Sequence, residues 1–165
     1  MGRKVFLLVG FILVASLSAH AQDTVELFGG YSYLRVDNSP SANFNGWEFG
    51  GQYKFADWLG GVADFGGQYG SPEGVSTSVH TYLFGPQISW PARVSPFAHL
   101  LIGAAHVSGS GFSDTSFSTA LGAGIDARLV PGIYWRVIQA DYLATRFFSN
   151  TQNNARISTG IVFRF

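Results

Sequence analysis

The chain has 165 residues, ten Lys or Arg against ten Asp or Glu, and no cysteine. It therefore carries neither a basic stripe for nucleic acid nor a disulfide framework. Charged residues are 12% of the total, against roughly 25% in soluble domains, while aromatics reach 16%, so there is too little charge to clothe a soluble surface.

The N-terminus reads MGRKVFLLVGFILVASLSAHAQ. Arg3 and Lys4 precede an apolar run from Val5 to Ala15, and Ala19-His20-Ala21 has the small-x-small form of a cleavage site. The run is shorter than the ~20 residues of a spanning helix. Residues 1–21 are thus expected to be a secretory signal peptide and 22–165 a single domain. Removing Arg3 and Lys4 leaves eight basic against ten acidic residues.

Beyond the leader, every apolar stretch is broken by Gly, Pro or a charge within a dozen residues, so no helix is expected to span a membrane. The remaining pattern has period two. In NGWEFGGQYKF, Trp47, Phe49, Gly51, Tyr53 and Phe55 share one face, opposite Glu48, Gly50, Gln52 and Lys54. The alternation predicts strands near 24–36, 44–56, 58–70, 78–90, 95–107, 116–129, 132–146 and 155–165. In the first, Phe28 and Leu34 fall on the face of Glu26 and Ser32. In the fifth, PFAHLLIGAAH, only His99 and Gly103 favour turning the odd positions inward. In the seventh, Arg136 has the opposite parity to Gln139 and Asp141, which requires either a bulge or a charge at a rim.

Connections alternate in character. DNSPSANFN, GSPEGVSTS, HVSGSGFSDTS and FFSNTQNNA read as longer polar loops, whereas ADW, PARVS and VPG are short turns. Eight strands with this rhythm predict an all-β, antiparallel, up-and-down transmembrane barrel. An eight-stranded interior is just wide enough for packed side chains, so the aromatic face belongs outside, and a soluble lipocalin-like barrel is the alternative it argues against. The polar face then forms a lumen network of Glu48, Lys54, Asp64, Asp126, Arg128, Arg156 and Arg164. Tyr31, Tyr33, Trp47, Trp58, Tyr69, Trp90, Trp135 and Phe165 lie near strand ends, where interfacial girdles form. An open aqueous channel needs ~16 strands, so a plugged lumen is expected.

From Thr24 to Phe165 the chain resembles the small outer-membrane β-barrel family, typified by the eight-stranded OmpA and OmpX barrels. The likeness rests on the leader, ELFGGYSYL as an opening strand, the paired glycines of WEFGGQYKF, and RISTGIVFRF as a closing strand. It implies residence in the lipid of a bacterial outer membrane. It also implies that barrel-assembly machinery reads the last strand at Phe163 and Phe165. No counterpart of OmpA's peptidoglycan-binding domain is present, so cell-wall tethering is not implied.

Motifs for chemistry are sparse. GAGID at 122–126 is a lone Gly-x-Gly inside a strand with no following helix, so no nucleotide cofactor is expected. His80, His99 and His106 lie on different segments, so no metal cluster is expected. His106-Val107-Ser108 places a base and a nucleophile on one strand face. The pair is similar to that of the outer-membrane lipid A deacylases, but their orienting acid on the next strand is replaced here by loop Asp114 alone. The expectation is a non-enzymatic integral membrane protein, serving envelope integrity or offering its loops to an extracellular ligand, with a His106/Ser108 hydrolase as the alternative.

Overall fold

The alternation closes into a cylinder. The computed structural model describes residues 25–37, 41–147 and 150–165. The expected leader lies outside the described residues. Eight strands follow in order: β1 (Val25–Val36), β2 (Ala42–Ala56), β3 (Leu59–Gly70), β4 (Thr77–Ser89), β5 (Val94–Gly109), β6 (Phe112–Val130), β7 (Ile133–Phe147) and β8 (Asn150–Arg164). Each pairs antiparallel with its sequence neighbours, and β8 pairs with β1 to close the barrel. Closure is what lets a sheet sit in lipid, where an open edge would leave a row of unsatisfied backbone groups.

The terminal aromatic residue is part of that closure. Phe165 donates its backbone N–H to the Val25 carbonyl (2.9 Å) and accepts from the Val25 N–H (3.2 Å). Above this junction the register runs through Glu26↔Arg164, Phe28↔Val162 and Gly30↔Gly160. Both ends of the described chain thus lie at one rim, the terminal end. The opposite rim is the loop end.

Side chains separate by parity as the alternation predicts. Tyr31, Trp47, Trp58, Tyr69, Trp90 and Trp135 are exposed on the outer wall, and Glu26, Glu48, Asp64 and Asp126 are buried inside. In β5 the odd positions turn inward, burying Phe97, His99 and Leu101. In β7 the two readings of Arg136 resolve to a bulge. Arg136 pairs with Gly160 but Gln139 pairs with Ser158, so β7 spends one residue more than β8. The outward Val137 and Ile138 absorb the extra residue, and Arg136, Gln139 and Asp141 all face the lumen.

The loops differ most from expectation. HVSGSGFSDTS is not a loop, because β5 and β6 continue through it to a turn at Ser110-Gly111, where Gly111 adopts a positive φ of 84°. Most of FFSNTQNNA is likewise strand, since β8 begins at Asn150. Small hydroxylated residues read as loop in isolation, but here cross-strand partners satisfy them. Ser78 and Ser108 hydroxyls pair at 2.8 Å, Asn154 Nδ2 donates to Thr145 Oγ1 at 2.9 Å, and the Ser116 hydroxyl donates to the Arg146 carbonyl. A membrane needs only ~9–11 residues per strand, so the 19-residue β6 carries its hairpin beyond the hydrocarbon.

Candidate functional site

Inward parity from all eight strands builds a lumen in three layers. At the terminal end Glu26 Oε1 meets Lys54 Nζ at 2.5 Å and Arg164 Nε at 2.8 Å. Arg164 also reaches Asp126 Oδ2 at 3.1 Å, and Arg136 grips the same carboxylate through Nε (2.8 Å) and Nη2 (3.2 Å). Aromatic faces support both guanidinium groups. Arg136 lies 4.4 Å from the Phe28 ring centre and 4.2 Å from that of Phe97, while Arg164 lies 3.8 Å from that of Tyr134.

Arg156 organises the middle layer. Its guanidinium contacts Asp64 Oδ1 at 2.9 Å, Asp141 Oδ2 at 2.6 Å and Glu48 Oε2 at 3.3 Å. Gln139 Nε2 bridges Glu48 and Asp141, at 2.8 Å to each. The Ser158 hydroxyl donates to Glu48, and His99 Nε2 meets Asp141 Oδ1 at 2.8 Å. His99 Nδ1 in turn faces the amide oxygen of Gln87, whose Nε2 donates to Gln52. Every carboxylate of these two layers therefore meets at least one cationic or imidazole partner, the condition under which buried charge is tolerated. Room for the layer comes from glycine. A Cβ on Gly122 would fall 1.8 Å from Asp141 Oδ1 and 2.6 Å from His99 Nε2.

The third layer, toward the loop end, is apolar. Leu34, Val36, Phe44, Val79, Leu83, Leu101, Ala120 and Leu143 form one buried cluster. Between the two charged layers, a cavity bounded by Glu26, Asp64, His99, Arg136 and Gln139 measures about 20 Å³, room for one water.

Six of the seven expected network residues take part: Glu48, Lys54, Asp64, Asp126, Arg156 and Arg164. Arg128 does not. It is exposed at the terminal rim, pairs with Tyr134 beyond a register shift in β6, and has its backbone N–H tied to the Arg93 carbonyl at 2.8 Å. Tyr134 and Arg164 already fill the mouth that Arg128 would have entered. The network also recruits Arg136, Gln139, Asp141 and His99, which the period-two reading did not assemble. The signal was the adjacent apolar pair Val137-Ile138, flanked by polar residues where strict alternation allows one apolar position.

The His106-Val107-Ser108 motif lies at the loop end, outside this network. His106 Nδ1 is 2.6 Å from Thr115 Oγ1, and the Ser108 hydroxyl pairs with Ser78 instead of with His106. Asp114 is on strand β6, opposite Val107 and therefore on the other face from His106. At the closing strand, Phe163 and Phe165 are both outward and exposed.

The family model of the outer membrane protein beta-barrel domain matches residues 5–165. No curated protein gives a match. Among solved structures, Neisserial surface protein A superposes with a TM-score of 0.68 at 12% identity, covering 86% of this chain and 97% of that one. Ail, the attachment invasion locus protein of Yersinia pestis, gives 0.59 at 21%, with coverage of 86% and 97%, and has also been solved with the heparin analogue sucrose octasulfate. The N-terminal barrel domain of Pseudomonas aeruginosa OprF gives 0.53 at 13%, with coverage of 86% and 98%. These likenesses concern the fold, and the match across nearly the whole length supplies the rest: the chain belongs to the outer membrane protein beta-barrel domain family and is a barrel of the bacterial outer membrane.

Proposed function

We propose that this protein is a non-enzymatic outer-membrane barrel with a sealed lumen, which supports the envelope and presents its loop-end hairpins to a ligand outside the cell. The filling of the lumen carries this reading. Two paired charge layers enclose a cavity of only about 20 Å³, too small for a solute path, and an apolar plug lies beyond them toward the loop end. On the outside, by contrast, an open groove of about 650 Å³ runs between the 71–76 loop and the β5–β6 hairpin, lined by the hydroxylated residues Ser71, Ser76, Thr77 and Ser110 beside Tyr69. Ail holds a sulfated sugar analogue, which makes an external polar ligand a reasonable class to test here. The hydroxyl lining of this groove favours an uncharged polar ligand over a sulfated one.

In this reading the mature protein is residues 22–165 after removal of the leader, the lumen network is structural, and Phe163 and Phe165 are read by the barrel-assembly machinery. Separate engagement of His106 and Ser108 by neighbouring strands supports the non-enzymatic part. Mass spectrometry of lipid A from cells with the protein, without it, and with Ser108→Ala tests this, alongside detergent sensitivity of the same cells. Unchanged lipid A with raised sensitivity in cells lacking the protein is expected. Loss of an acyl chain that depends on Ser108 would make the hydrolase reading the correct one.

A further inference from the structure

His80 on β4 and His106 on β5 come from segments 26 residues apart, yet the register makes them direct antiparallel partners near the loop end. Both have outward parity, in line with the exposed Tyr82 and Phe84 of β4 and with Leu100 and Ile102 of β5. Directly opposed residues hold their Cβ atoms ~4.5–5.5 Å apart, a spacing from which two imidazoles can reach one ion.

The hydrogen bonding of the two rings is the second observation. His80 Nε2 lies 3.2 Å from the Tyr69 hydroxyl, and the Tyr69 ring stands edge-on to the imidazole at 5.7 Å between centres. His106 Nδ1 lies 2.6 Å from Thr115 Oγ1. Each ring is thus oriented through one nitrogen by a hydroxyl on the adjoining strand. The other nitrogens, Nδ1 of His80 and Nε2 of His106, have no side-chain partner among the described residues. A metal-bound histidine has this arrangement, a neutral ring whose second nitrogen donates its proton to an outer oxygen while the first offers its lone pair.

We propose that His80 and His106 form a two-imidazole site for a divalent transition-metal ion, Cu²⁺ most tightly, with Zn²⁺ and Ni²⁺ below it in the order usual for nitrogen ligands. Tyr69 and Thr115 are positioning residues that set the tautomer of each ring. No group of three or more His, Cys, Asp or Glu gathers among the described residues, so the ion keeps open positions for water or an oxygen ligand from outside. The site exchanges its metal and is not a structural clamp.

The test is titration of the folded barrel in detergent with copper(II) chloride, read by electron paramagnetic resonance. The wild type is expected to bind one equivalent with hyperfine coupling to two imidazole nitrogens. His80→Asn and His106→Asn should each lose one nitrogen coupling and weaken binding by tenfold or more, and Tyr69→Phe should weaken it by about tenfold with both couplings kept. The double variant gives the background from His99, and heat-dependent gel mobility reports that each variant is folded. A wild-type spectrum without two-nitrogen coordination overturns the proposal on its own, whatever the variants do. So does one-equivalent binding that survives in the double variant.

Discussion

Replacing Arg156 with methionine should be the most damaging single change in the lumen. The residue is 1% exposed and its guanidinium is shared by Glu48, Asp64 and Asp141. Methionine keeps much of the volume, so the loss is electrostatic and not a cavity effect. Removing one partner of a buried ion pair costs about 3–5 kcal/mol, because the remaining charge is left without compensation. Here three carboxylates lose the same cation. Gln139, Ser158 and His99 still reach Glu48 and Asp141, but Asp64 keeps no cationic partner among the described residues. The expected loss is therefore at the upper end, about 4–5 kcal/mol. Reversible unfolding in urea, from detergent micelles or liposomes, measures it. Arg128→Met is the matched control, since Arg128 is exposed at the rim, and it should change stability by no more than about 0.5 kcal/mol. A loss below about 1 kcal/mol for Arg156→Met, or equal losses for both arginines, would refute the idea that the lumen is organised around Arg156.

Other expectations follow from single contacts. Gly122→Val puts carbon where Asp141 and His99 meet and should cost about 1–3 kcal/mol by overpacking in the same assay. Leu101→Ala, at a position with no exposed surface in the apolar plug, should cost about 2–5 kcal/mol, and a value under 1 would mean the plug is loosely packed. Phe165→Ala should lower stability in detergent by only about 1–2 kcal/mol, since the ring is outward and 39% exposed. Deleting Phe165 should reduce insertion in cells far beyond that loss, and equal mild effects in both settings would reduce the residue to packing alone.

The strands were legible because a two-sided wall imposes period two on the chain. Trp47 to Phe55 on one side and Glu48 to Lys54 on the other already describe β2, whereas in the nearly all-apolar β5 only His99 and Gly103 pointed the odd positions inward, the side on which the structure has them. Two kinds of information were missing. A bulge resets parity, so Arg136 looked discordant with Gln139 and Asp141 until the register of β7 against β8 was known. Depth along the barrel has no local signature either. Arg128 has lumen parity but lies past the last charged layer, whereas Leu34, Leu83 and Leu101 have the same inward parity and collect into a plug only because the shear of the barrel brings them to one level. The hairpin tips were misread for a related reason. Ser, Thr and Asn favour turns when unpaired, and the pairing that holds them in β5 to β8 is visible only across strands. Likewise, His80 and His106 looked isolated in the sequence and are adjacent in the sheet.

The proposed function requires a closed lumen, and ion conductance tests that directly. Purified protein reconstituted into planar bilayers should give no large, stable open state, because the two charge layers leave room for about one water between them and the plug around Leu83 and Leu101 lies beyond. Arg156→Met should raise the frequency of brief openings by loosening the middle layer. Long-lived conductance of porin size in the wild-type protein would contradict the sealed lumen and the function proposed from it.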